Sequence, residues 1–88
     1  MTLHELLAMP KGMNIGNYEK LLAEKRKLER KIQRESSTIF DEEDSLSVLA
    51  DEVGSERYNE HLTNKRKAEY RRENAKARLE RIVQMLNG

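Results

Sequence analysis

The chain has 88 residues, a length that allows one domain with a small core. Hydrophobic residues make up 36% of it and charged residues 38%, which excludes a large globular core and favours long helices or a coiled coil. It contains no cysteine, which excludes disulfides, thiolate metal sites and cysteine nucleophiles, and which fits a cytoplasmic location. No apolar run approaches the roughly 18 residues of a membrane span, and we expect no secretory signal.

The net charge of +1 conceals three blocks of alternating sign. Residues 17–34 carry seven Lys or Arg against three Glu, whereas residues 35–60 carry nine Asp or Glu against Arg57 alone. Residues 61–88 carry eight Lys or Arg against three Glu. Charge is therefore segregated along the sequence, in the order basic, acidic, basic.

Residues 2–9 are predicted to form a short amphipathic helix. Thr2 and Glu5 have the spacing of a capping box. Pro10 ends the helix because the residue before a proline avoids the helical conformation. Four apolar residues are expected to cover the apolar end of the last helix, either in the same chain or in a second copy: Leu3, Leu6, Leu7 and Met9.

Residues 17–35 are predicted to form the first long helix, with Asn17 as its N-cap. Its stripe toward a partner repeats at steps of three and four, through Tyr18, Leu21 and Leu22, Lys25, Leu28 and Ile32. Ser36-Ser-Thr-Ile-Phe40 is expected to interrupt the helix, because hydroxyl and β-branched side chains are poor helix formers. Residues 44–53 are predicted to form a short helix. A break at Gly54-Ser55 is favoured over a continuous helix.

Residues 55–86 are predicted to form the longest helix. Its stripe keeps the seven-residue spacing of a coiled coil, through Tyr58, His61 and Leu62, Lys65, Ala68, Arg72, Ala75, Leu79, Ile82 and Leu86. The pattern predicts an all-α fold in a single domain over 1–88: an antiparallel, coiled-coil-like helical hairpin with short flanking helices.

The two long helices are predicted to differ in length. At 1.5 Å per residue the first measures about 30 Å and the second about 48 Å. The apolar end of the second helix would then be left uncovered. This predicts self-association, most simply as a homodimer, through Leu79, Ile82, Val83 and Leu86.

Two clusters are candidates for binding. The bend is predicted to hold an apolar pair beside four acids, a small anchor with a charged rim that suits a basic protein partner: Ile39, Phe40, Asp41, Glu42, Glu43 and Asp44. Solvated acids that favour a helix N-terminus are the plainer alternative, and the acids lack the order of an EF-hand loop. The basic runs are the second cluster and could contact phosphates, although interleaved glutamates favour ordinary helix-surface pairs: Lys25, Arg26, Lys27, Lys65, Arg66, Lys67, Arg71 and Arg72.

A basic helical hairpin with an acidic bend resembles the coiled-coil finger of bacterial RNA-polymerase secondary-channel factors, of the Gre type and its zinc-containing relatives. The resemblance covers about residues 17–80 and depends on shape and charge rather than on a shared motif. It implies that Asp41-Glu-Glu-Asp44 forms a tip that reaches the catalytic magnesium of the polymerase. The chain departs from those factors in lacking a second globular domain and a cysteine zinc site.

No nucleophile–base pair, glycine-rich phosphate loop or zinc motif is present, and His4 and His61 stand alone, so neither catalysis nor a metal or other cofactor is expected. The sequence instead predicts a small non-enzymatic protein that binds and modulates a larger protein, as accessory, adaptor or phage-type regulators do. The alternative is a nucleic-acid-binding or RNA-polymerase-directed factor.

Overall fold

The computed structural model describes residues 1–88 as three α-helices with no strand. α1 spans Leu3–Leu7, α2 spans Ile15–Val48 and α3 spans Glu56–Leu86, with one 3-10 turn at Ala50–Glu52 between the two long helices. α2 and α3 pack against each other as an antiparallel pair in a rod of 58 × 19 × 16 Å. The predicted all-α helical hairpin is confirmed. No helix combines the length and the hydropathy that crossing a bilayer requires.

α2 is longer than the sequence predicted at both ends. It begins at Ile15, where the Asn14 side chain accepts a hydrogen bond from the Asn17 backbone at 2.8 Å, so the predicted N-cap at Asn17 is wrong. It also continues through Ser36–Phe40 to Val48, so the predicted bounds of the helices at 17–35 and 44–53 are wrong. The residues of the expected interruption are held in the helix by the packing of Ile39, which is only 5% exposed.

The reversal of the chain lies at Leu49–Ser55. Leu49 is buried and closes the core at this end. Gly54 has φ of +88°, a left-handed conformation that glycine adopts without the steric cost a side chain would bring. Ser55 then caps α3 by accepting a hydrogen bond from the Tyr58 backbone at 3.1 Å. The favoured break at Gly54-Ser55 is confirmed, and it is the turn of the hairpin.

Both helices keep the three-and-four spacing through their whole contact. The predicted stripe of α3 lies in the interface, with Ala68, Ala75 and Ile82 fully buried along it. The stripe of α2 continues past Ile32 through five residues that were not predicted to belong to it: Glu35, Ile39, Glu42, Leu46 and Leu49. Two small alanines and several charged stems make this a thin core. Arg72 lies between the two alanines with its Nε buried and without a hydrogen-bond partner.

The two long helices are closely matched in length, which corrects the basis of the predicted self-association. With 34 and 31 residues, α2 and α3 are about 51 and 46 Å long at 1.5 Å per residue. The start of α2 therefore reaches the end of α3, and Tyr18 and Ile82 are both buried within one chain, at 3% and 0% exposure. Leu79, Val83 and Leu86 are half-buried there.

α1 packs on the hairpin through polar contacts rather than through its leucines. Thr2 caps α1 by accepting a hydrogen bond from the Glu5 backbone at 3.2 Å, which is one half of the predicted capping box. The Glu5 carboxylate accepts from the Thr2 hydroxyl rather than from the Thr2 backbone. The Tyr18 hydroxyl donates to the Glu5 carbonyl, and Arg26 donates to the Glu5 carboxylate at 2.6 Å. Leu3 and Leu7 are 72% and 78% exposed. Leu3 and Leu7 therefore do not cover the core within one chain, whereas Met9 is half-buried.

Candidate functional site

The predicted acidic cluster lies on the last turns of α2 and not at the bend. Its members differ in what they contact. Glu42 contacts His61 Nδ1 at 2.6 Å, and Glu43 lies 3.6 Å from the Lys65 ammonium, so both carboxylates join α2 to α3. Asp41 and Asp44 are exposed and have no ion-pair partner within the chain. The acids at the bend itself are others: Asp51, Glu52 and Glu56.

The position of the bend removes the geometric basis of the polymerase-finger resemblance. The four acids assigned to the finger tip lie on α2 before the turn, and two of them are committed to contacts with α3. The resemblance therefore does not carry over to Asp41-Glu-Glu-Asp44 residue by residue.

The two residues of the predicted apolar anchor, Ile39 and Phe40, lie on different sides of α2. Ile39 is buried in the interface and is not available to another molecule, whereas Phe40 is 71% exposed. Two further apolar residues near the bend are also exposed, Val48 at 80% and Val53 at 70%. Phe40, Asp44 and Val48 follow at steps of four residues, which places them in one row along α2. We call these residues and the neighbouring acids the turn-end surface: Phe40, Asp41, Asp44, Val48, Asp51, Glu52 and Val53.

Val48 and Val53 were missed because both fall within the separate short helix that was predicted over residues 44–53. Their exposure becomes visible only once α2 is continuous to Val48 and Leu49 is the residue that turns into the core. The spacing of the seam was the available signal for Val48. Leu46 and Leu49 are three residues apart and continue the seam, so Val48, which lies between them, falls outside it.

The predicted phosphate-contacting residues are distributed around the rod. Lys25, Lys65 and Arg72 lie at seam positions, where their stems are half-buried. Arg26 is bound to Glu5 of α1, and Arg71 donates to both oxygens of Glu35 at 3.1 Å. Lys27, Arg66 and Lys67 are exposed and lack an ion-pair partner. The eight residues therefore do not form one site.

A second pair of opposite charges joins the helices near the open end of the hairpin. Arg78 Nε donates to Glu24 Oε1 at 2.8 Å, and a second nitrogen donates to Oε2 at 3.3 Å. This hydrogen bond lowers the pKa of Glu24 below its ordinary value, and the positive charge of Arg78 adds to the effect. The same contact raises the pKa of Arg78. The contacts Arg78–Glu24, Arg71–Glu35 and His61–Glu42 together determine which residues of α2 and α3 lie side by side in the antiparallel pair.

No group of three or more His, Cys, Asp or Glu side chains is placed to hold a metal ion. The largest surface depressions are open and polar, and one of them is lined by Lys27, Arg30, Gln33, Arg34, Ser37 and Thr38. In the comparisons with known proteins, no family model, no curated protein and no solved structure matches this chain.

Proposed function

We propose that the chain is a small non-enzymatic interaction protein that binds and modulates a larger protein through the turn-end surface. Accessory, adaptor and phage-type regulatory proteins act in this way. The observation that carries the proposal is the row of Phe40, Asp44 and Val48, in which two exposed apolar side chains flank a free carboxylate. A cytoplasmic setting suits a chain without cysteine.

The chemistry of this surface favours a partner with a basic face. Asp41, Asp44 and Asp51 have no cation bound to them within the chain, so their charge remains available to an incoming molecule. Uncompensated charge of one sign raises the association rate of an oppositely charged partner. Phe40 supplies the kind of aromatic side chain on which binding energy concentrates when it is desolvated.

Site-directed photocrosslinking in the native host tests the proposal. A photoreactive residue at position 40 should trap a protein, and the same residue at position 70 should not. Tyr70 is a matched control because it is 70% exposed, like Phe40, but lies on the other long helix. Identical products from both positions would contradict the proposal.

With the trapped protein in hand, the two contributions are separable. Phe40→Ala should weaken binding by about thirtyfold or more while Tyr70→Ala leaves it unchanged, since hot-spot truncations cost about 2 kcal/mol or more. Asp41→Asn with Asp44→Asn should lower the association rate and flatten its salt dependence. An unaltered salt dependence in the double variant would remove the acids from the site.

Self-association is a second part of the proposal, now placed at the open end of the hairpin. The support for it is the exposure of four apolar side chains at that end: Leu3, Leu7, Ile15 and Met85. Sedimentation equilibrium should show a homodimer that Leu3→Asp with Leu7→Asp dissociates without loss of helicity. A wild-type protein that remains monomeric at high micromolar concentration would contradict this part.

A further inference from the structure

One flank of the hairpin collects positive charge from both long helices. The hydrogen bonds between Arg78 and Glu24 place these two residues on the same flank. Seven residues are two turns of a coiled-coil helix, so Lys31 lies on this flank after Glu24, and Arg71 lies on it before Arg78. Arg71 crosses to bind Glu35 of α2, which agrees with that placement.

Neighbours at three or four residues extend the flank outward on each helix. On α2 these are Lys20, Lys27 and Arg34, and on α3 they are Lys67 and Arg81. We call the resulting set the basic flank: Lys20, Lys27, Lys31, Arg34, Lys67, Arg71, Arg78 and Arg81.

The basic flank has few acids of its own. Glu24 and Glu35 face it, and they are bound to Arg78 and Arg71. Asp41 and Glu60 lie in the same rows, seven residues beyond Arg34 and seven before Lys67, and they end the basic flank on the side of the turn. The other six cations have no ion-pair partner in the chain. Charge is therefore segregated around the rod as well as along the sequence, because the unpaired cations collect on one flank.

The opposite flank differs in charge and in what covers it. It holds five glutamates, of which Glu29 and Glu73 pair with lysines of their own helices. α1 lies over it near the open end, where Glu5 is bound to Arg26. The basic flank is therefore left open by the chain's own short helix. The acids of the opposite flank are Glu19, Glu29, Glu69, Glu73 and Glu80.

We propose that the basic flank binds the phosphate backbone of duplex nucleic acid without reading its sequence. Lys20, Lys27 and Arg34 repeat about every 10 Å along α2 and span about 21 Å. Each strand of the duplex advances 3.4 Å per phosphate along the axis, so this length covers about six base-pair steps. Because six steps are more than half of a turn of about 10 base pairs, a straight row meets phosphates of both strands rather than following one. Paired helices present a broad, straight row of cations, which suits contacts to phosphates rather than to base edges.

Two other anionic partners fit the flank less well. Single-strand binders present a series of aromatic side chains for stacking, whereas Tyr70 alone borders this flank, beside Lys67 and Arg71. Helices that bind a lipid surface insert an apolar face between the headgroups, whereas the basic flank carries only Tyr70 and, past Arg81, Met85. Apart from Asp41 and Val48, which follow Arg34 in the same row, no residue of the turn-end surface lies in the rows of the basic flank. One chain could therefore hold a protein and a nucleic acid at once.

Fluorescence anisotropy with a labelled duplex of mixed sequence tests the inference. If all six unpaired cations meet phosphates, the slope of log K against log salt is about −5, and affinity falls about a thousandfold between 50 and 200 mM salt. Lys27→Gln with Lys67→Gln should make the slope shallower by about 2, because each lost phosphate contact removes about one unit.

Lys25→Gln with Lys76→Gln is the matched control, since it removes the same charge from two lysines that pair with Glu29 and Glu73 of the opposite flank. Its slope should equal that of the wild-type protein. Equal changes in both double variants would overturn the inference, because they would show a long-range effect of net charge. Absence of duplex binding at low salt would also overturn it. So would tighter binding to a single strand of the same length, or binding only to vesicles of anionic phospholipid.

Discussion

Replacing Ile82 by alanine should destabilise the isolated chain strongly. Ile82 is 0% exposed and is the largest fully buried side chain of the molecule. Ile82→Ala removes three carbons, each worth about 0.8 kcal/mol on transfer from water, and leaves a cavity. Together these effects give a loss of about 3 kcal/mol, within the range of 2–5 kcal/mol for such truncations. The total stability of a domain of this size is only about 5–10 kcal/mol.

Urea unfolding followed by far-UV circular dichroism measures this loss, with Leu7→Ala as the control. Leu7 is 78% exposed, so its truncation should change the free energy of unfolding by less than about 0.5 kcal/mol. The loss that Ile82→Ala causes, relative to the wild-type protein at the same concentration, should not depend on that concentration, because α2 of the same chain buries the residue. A loss below about 1 kcal/mol would refute the reasoning. A loss that grows with concentration would also refute it, because it would assign the burial of Ile82 to a second copy.

Three further substitutions test particular contacts. Ser37→Pro should cost about 3 kcal/mol, because it puts a proline inside a continuous helix; an unchanged melting temperature would restore the break predicted from the sequence. Arg72→Met should raise the free energy of unfolding by about 1–3 kcal/mol, since it removes a buried donor that lacks an acceptor; a destabilised variant would show that Nε is satisfied. Arg78→Gln should raise the pKa of Glu24, followed by NMR, toward its ordinary value of 4.5. Because folding lowers this pKa, the contact stabilises the protein above pH 4.5 and is lost as the pH falls below it; a pKa that Arg78→Gln does not change would contradict the contact.

The sequence alone was sufficient for α3 and for the fold class. The stripe from Tyr58 to Leu86 holds its spacing without a gap, and Ser55 is a good N-cap, so both the helix and its buried face were predictable. The N-cap of α1 at Thr2 was predictable for the same reason, because it depends on residues three apart.

The course of α2 was not predictable from local preferences. Serine, threonine and isoleucine cost only a few tenths of a kcal/mol each in a helix, and the burial of Ile39 outweighs that cost. Thr38 satisfies its hydroxyl inside the helix by donating to the Arg34 carbonyl at 3.1 Å. Glu35 and Glu42 occupy seam positions of α2. Because both are charged, the apolar pattern that predicts the helix stops at Ile32 although the helix continues.

The surfaces could not be predicted before the register was known. Which of Phe40, Val48 and Ile39 faces outward depends on where α2 ends. The basic flank depends on which residue of α3 lies beside Glu24, and a turn some ten residues earlier would have placed other side chains there. Charge blocks along a sequence therefore indicate that a charged surface exists without indicating its members.

The antiparallel register is the claim on which both proposed surfaces depend, and a crosslink measures it directly. The chain has no cysteine, so Glu24→Cys with Arg78→Cys creates a unique pair for a short bismaleimide. The structure predicts a crosslink within one chain, since the native side chains are in hydrogen-bond contact. Glu24→Cys with Glu60→Cys is the control, because Glu60 lies 18 residues, or about 27 Å, before Arg78 on α3, toward the turn. A crosslink within one chain for the control pair, or a 24–78 crosslink found only between two chains, would contradict the account.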